Sequence, residues 1–133
     1  MRTFKHFSVA ALSLFLIAAL SGCCHLAHHS KQDGGLNGAW KFKDRYQGSY
    51  VLTFDDGSYA VDFDGDGNKD VWGRYELNWD EIRFTDKGGK IGEDCRESGK
   101  YQYNLSGNEL KFKLVSDACA SRVKSLAQLW VRK

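Results

Sequence analysis

Gly99-Lys100-Tyr101-Gln102-Tyr103-Asn104-Leu105-Ser106-Gly107-Asn108-Glu109-Leu110-Lys111-Phe112-Lys113-Leu114 holds two alternating runs around one turn. Tyr101, Tyr103 and Leu105 face one way against Gln102 and Asn104, and Leu110, Phe112 and Leu114 oppose Lys111 and Lys113. A period of two is the signature of a strand with one buried face, and the Ser106-Gly107-Asn108 turn makes the pair an antiparallel hairpin. The pattern extends in both directions. Trp40 and Phe42 alternate with Lys41 and Lys43, and Tyr50, Leu52 and Phe54 alternate with Val51 and Thr53. Tyr59, Val61 and Phe63 follow the Asp56-Gly57 turn; then come Val71 to Leu77, Ile82 and Phe84 between Glu81 and Arg83, and a last run from Gln128 to Arg132. Asp117 to Ala127 departs from the alternation, with Val123, Leu126 and Ala127 at helical spacing behind Asp117 as an N-cap.

The expected fold is therefore all-β: an eight-stranded antiparallel up-and-down barrel over residues 36–133, with one short helix before the last strand. Closure removes the exposed edges that an open sheet of this size would leave. Trp40, Phe42, Phe54, Tyr59, Phe63, Tyr75, Phe84, Tyr101, Tyr103 and Phe112 supply enough inward aromatic volume to fill most of such a lumen, so any cavity is expected to be small.

The N-terminus reads differently. Arg2 and Lys5 precede an apolar run from Ser8 to Leu20, too short for the roughly 20 residues of a membrane-spanning helix and laid out as a secretion signal over residues 1–22. Leu20-Ser21-Gly22-Cys23 resembles the lipobox of bacterial lipoprotein precursors. The resemblance implies that Cys23 takes a diacylglyceryl group on its thiol and becomes the lipid-bearing first residue of the mature chain, anchored in a membrane. Residues 23–35 end in Gly34-Gly35 and show no apolar periodicity, which predicts a tether. Cys24 is not the Asp that commonly retains such lipoproteins in the inner membrane, and this favours the outer membrane.

Without Arg2 and Lys5 the mature chain balances 17 basic against 17 acidic side chains, which argues against a nucleic-acid partner. Every histidine precedes residue 36: His6 lies in the signal, and His25, His28 and His29 in the tether. The domain therefore lacks the residues for a Ser-His-Asp triad, a Cys-His pair or a His-based zinc site, and no enzymatic activity is expected. An exported chain folds under oxidising conditions; with Cys23 lipidated, Cys95 and Cys119 are the expected disulfide, and Cys24 is left free or oxidised.

Asp62-Phe63-Asp64-Gly65-Asp66-Gly67-Asn68-Lys69-Asp70 is the one motif that carries chemistry. Calcium takes oxygens from alternate positions of such a loop, here the carboxylates of Asp62, Asp64, Asp66 and Asp70 and the carbonyl of Asn68, with Gly67 at the sharp turn. The position where an EF-hand places a bidentate Glu is Gly73, so the run predicts a calcium hairpin of modest affinity between two strands.

Gly38-Ala39-Trp40 resembles the Gly-x-Trp signature of lipocalin and calycin barrels. Phe54-Asp55-Asp56-Gly57-Ser58-Tyr59, Gly73-Arg74-Tyr75-Glu76-Leu77, Gly99-Lys100-Tyr101-Gln102-Tyr103 and Asp117-Ala118-Cys119-Ala120-Ser121-Arg122 are similar to patterns in small bacterial lipocalin-like lipoproteins. The resemblance implies that Arg132 packs over Trp40 and that the barrel binds a small apolar ligand or a protein partner. Trp40, Tyr101, Tyr103 and Arg132 are the candidate contacts. The alternative is a structural or inhibitory interaction module with a solid core.

Overall fold

The computed structural model describes residues 34–42 and 50–133; the signal, Cys23, Cys24 and the tether histidines lie outside the described residues. The alternating segments form β1 (Gly38–Phe42), β2 (Val51–Asp55), β3 (Ser58–Asp62), β4 (Val71–Asn78), β5 (Glu81–Gly89), β6 (Gly99–Ser106), β7 (Glu109–Ser116) and β8 (Trp130–Arg132). Each pairs antiparallel with the next, and β8 returns to β1 through Trp40↔Arg132 and Phe42↔Trp130, which closes the barrel. A 3-10 turn at Glu93–Cys95 interrupts the β5–β6 connection, and a short helix α1 (Ala120–Leu126) precedes β8.

Inward residues fill the lumen. Trp40, Leu52, Phe54, Ile82, Phe84, Tyr101, Leu110 and Trp130 are buried together, and Phe84 stands at the centre. Its ring meets Tyr59 at 5.0 Å, Phe112 at 5.7 Å and Tyr101 at 5.9 Å, all edge-on, the arrangement that opposed ring quadrupoles favour. Of the ten aromatics expected to point inward, Phe63 and Tyr103 are only half-buried: Phe63 lies just beyond β3, and Tyr103 sits beside the β4–β5 turn, its N–H reaching Asp80 O at 2.8 Å.

The up-and-down order sorts the connections between two ends. One end carries the turns after β2, β4 and β6 together with Gly34, and Arg132 closes it by lying 4.2 Å over the Trp40 ring, as the family resemblance implies. The other end, here called the mouth, carries the acidic loop, the β5–β6 connection and α1.

Several local details differ from the sequence expectation: Phe63 lies beyond β3, and β8 begins at Trp130 instead of Gln128. β5 runs on past Phe84 to Gly89, with Asp86 at an inward position opposite Gly73. Asp117 does not cap α1: the N-cap is Cys119, whose Sγ accepts from the Arg122 backbone N–H at 3.4 Å, while the Asp117 carboxylate is bound by the Arg122 side chain.

Candidate functional site at the barrel mouth

The acidic loop is built by its own backbone. Asp62 Oδ1 accepts from the N–H groups of Asp64 (3.2 Å) and Gly65 (2.7 Å), and Oδ2 from Gly67 (2.9 Å), so a single carboxylate folds the chain around itself. Burial pushes its pKa up, but these donors outweigh it and hold Asp62 below the usual carboxylate range. Gly67 has φ 91°, a left-handed conformation that the expected turn position requires and that a Cβ would oppose. Asp70 closes the loop: its N–H reaches Val61 O at 2.8 Å, and its Oδ2 accepts from Phe63 N–H at 2.8 Å.

Three of the four carboxylates expected to bind calcium converge. One carboxylate oxygen each from Asp62, Asp64 and Asp70 lie within 4.8 Å of one another, the spacing of oxygens around one hard cation. Asp66 stands apart, taking Asn68 N–H at 2.7 Å and Asn68 Nδ2 at 2.8 Å, so these two residues are paired with each other. A bidentate ligand from the strand is excluded by packing: a Cβ on Gly73 would lie 2.2 Å from Thr85 O and 2.8 Å from the Tyr59 ring. Lys90 supplies the local positive charge, with Nζ 2.5 Å from Asp70 Oδ1. This hydrogen bond is the main cause that depresses Asp70, and the Lys90 pKa is raised in turn.

Lys90 also lines a cavity of about 70 Å³ beneath the mouth. Its walls are largely apolar, including Leu52, Val61, Val71, Phe84, Ile91 and Leu126, and the Tyr50 and Phe63 rings that also line it meet tilted, 5.0 Å apart. Scaled to the ~150 Å³ that accepts benzene, it takes about three heavy atoms. Trp130 is one wall, 1% exposed, and its indole Nε1 is a buried donor without an acceptor among the protein atoms.

The cavity's polar side is a locked cluster. Arg122 points from α1 into the barrel, with Nη1 2.9 Å from Asp86 Oδ2 and Nε 2.6 Å from Asp117 Oδ2. Its Nη2 donates to Asp117 Oδ1 and Glu97 O, both at 2.8 Å. Tyr59 donates its hydroxyl proton to Asp86, and Tyr101 to Asp117. Burial raises both phenols far above their ordinary value, and the carboxylates they serve raise them further. Cys95 and Cys119 are joined beside this cluster as a disulfide, which ties the β5–β6 connection to the residue before α1.

No protein family, curated protein or solved structure matches this chain.

The four candidate ligand contacts do not come together. Trp40 donates Nε1 to Leu36 O at 2.8 Å and lies under Arg132, so both belong to the closed end. Tyr101 serves Asp117, and Tyr103 sits near the closed end with its hydroxyl donating to Trp79 O at 3.3 Å. None of the four lines the mouth cavity. Arg122, Asp86, Lys90 and Trp130 do line it; Arg122 ends the Asp117-to-Arg122 pattern, and the other three lie in no motif. The available signal was the i, i+4 pairing of Arg122 with Leu126 on one face of α1, the only two buried residues of that helix.

Proposed function

We propose that the protein is a lipid-anchored, non-enzymatic binding protein of the bacterial cell envelope, held through Cys23 and favouring the outer membrane, whose calcium-ordered mouth takes a small ligand or a projecting group of a protein partner. The observation that carries the mouth as the site is Lys90, which pairs with Asp70 of the acidic loop and at the same time lines the cavity. An ion held by Asp62, Asp64 and Asp70 competes with Lys90 for Asp70, and so couples the loop to the cavity. Calcium fits better than magnesium, since the loop offers several close protein oxygens and magnesium keeps more of its water. A non-enzymatic role is supported by Asp86 and Asp117, the inward carboxylates nearest the cavity, being committed to Arg122.

Calorimetric titration of the mature chain is expected to give saturable single-site heat with calcium, and chelator is expected to lower its melting temperature. Lys90→Met is expected to tighten calcium binding by about two- to five-fold, the modest factor appropriate to an ion pair whose lysine is largely solvated. Heatless titration together with chelator-insensitive melting would remove calcium from the proposal.

The filled lumen favours the solid-core interaction module over a carrier of bulky lipids. Native mass spectrometry of protein purified without detergent is expected to show no co-purified lipid of acyl-chain length in the barrel. A stoichiometric long-chain adduct on the unlipidated Cys23→Ser chain would reverse that preference.

A further inference from the structure

The closed end of the barrel, from which the tether departs, carries its own exposed aromatic. Gly34 and Gly35 are the first described residues, and they are fixed to this end. Arg132 Nη2 donates to Gly35 O at 2.8 Å, and a Cβ on Gly34 would meet Tyr103 Oη at 2.6 Å and Leu77 Cδ1 at 3.2 Å. Beside them the β4–β5 turn lifts Trp79 into solvent, 93% exposed. Its φ of 58° is a left-handed conformation unfavourable for a bulky residue, yet the turn places the indole there, with Trp79 O held by the Tyr103 hydroxyl. Trp79, Leu77, Tyr103 and Leu105 line one groove, and Gly34 forms part of its edge.

Tryptophan and tyrosine favour the membrane–water boundary, where the ring leaves water and the polar edge stays hydrated. Eleven residue steps separate Cys23 from Gly34, a covalent reach of at most about 40 Å. A lipid on Cys23 therefore keeps this end within that distance of the bilayer. Asp56, Asp80 and Glu109 lie at its turns beside Arg132 and Lys133, so this end lacks the basic cluster that would select a strongly anionic lipid surface.

We propose that the tether end of the barrel, with Trp79 foremost, docks on the headgroup region of the zwitterionic phospholipid membrane in which its own N-terminal lipid is inserted; this rests on the reading of Cys23 as the lipidated residue. The mouth, with its acidic loop and cavity, then faces away from the membrane and stays open to soluble partners.

The test uses the lipidated full mature chain on phosphatidylcholine vesicles whose acyl chains are brominated near the headgroup. Trp40 and Trp130 are buried in the core and Trp72 lies on the barrel wall, so Trp79 is the indole positioned for contact quenching. Wild type and Trp79→Phe are expected to float equally with vesicles, whereas bromolipid quenching is expected to fall about two-fold or more in the variant, because two of the four tryptophans are shielded by the core. Flotation with equal quenching in both proteins would overturn the docking and leave the anchor intact. Failure to float would overturn the anchor and the docking together. Protection of Trp79 from acrylamide that grows with protein concentration in lipid-free micelles would assign the groove to a second copy and overturn the membrane as its occupant.

Discussion

Arg122→Met is expected to lower the stability of the domain by about 3–5 kcal/mol, the range for removing one partner from a buried charge network. The side chain of Arg122 is 7% exposed and that of Asp117 0%, so neither carboxylate partner can turn to water when the guanidinium is lost. The two inward acids would be left with the Tyr59 and Tyr101 hydroxyls and, for Asp117, the Cys119 N–H as donors, and Glu97 O would lose the Arg122 Nη2 donor. Methionine is the sharper test than alanine because it keeps most of the volume and opens little cavity. Urea unfolding at neutral pH measures the loss, and a decrease under about 1 kcal/mol would mean that the cluster is better solvated than its burial implies.

The same network sets an acid limit. Burial pushes the Asp117 pKa up, but Arg122, Tyr101 and the Cys119 N–H together hold it below the usual carboxylate range. A carboxylate depressed on folding contributes stability that is present above its unfolded value of about 3.9 and is lost as pH falls through the folded value. Wild-type stability should therefore fall on acidification below about pH 4. In Arg122→Met the sign reverses for this group: an unpaired buried carboxylate titrates high, and mild acid relieves part of the defect by neutralising it. Adding Asp117→Asn to Arg122→Met should recover stability at neutral pH, since an amide costs less to bury than an unpaired carboxylate.

The barrel was legible because its half-buried strands alternate, and the Cys95–Cys119 pair because compartment and position leave few choices. Legibility failed where a polar residue takes an inward place. β5 goes unread beyond Phe84 because its next inward residue is Asp86 and it ends in Gly88-Gly89, with no apolar side chain to mark the face. Apolar spacing points to Val123, Leu126 and Ala127 as the buried face of α1, whereas Arg122 and Leu126 are its buried residues, since a guanidinium between two carboxylates packs where hydrophobicity would never place it. Asp117 reads as a helix cap for the same reason: its type and position suit a cap, and only the approach of Arg122 decides otherwise. The acidic loop lies between these cases. Asp62, Asp64 and Asp70 lie together in the structure, but spacing cannot show that Asp66 turns to Asn68 or that Lys90 faces Asp70 from another connection.

Removing the disulfide by Cys95→Ser with Cys119→Ser is expected to lower stability by about 3 kcal/mol, from the chain entropy of a 24-residue separation, and the melting temperature by roughly 10–20 °C. The bridge does more than close a loop. It fastens the Glu93–Cys95 turn to the N-cap of α1, where Asp94 Oδ2 also accepts from Ala120 N–H at 3.1 Å. Arg122 fastens the same helix from inside the barrel, and its backbone N–H is the donor to Cys119 Sγ. Two clamps on one seven-residue helix cannot be independent, because once α1 is released by either, the other has less to hold. A double-mutant cycle between Arg122→Met and the paired serine substitutions, measured by urea unfolding, should therefore show a combined loss smaller than the sum by about 1–2 kcal/mol. Strict additivity would mean that α1 stays seated on the mouth without the bridge, and that the cavity floor made by Arg122, Leu126 and Trp130 does not depend on the oxidation state of Cys95 and Cys119.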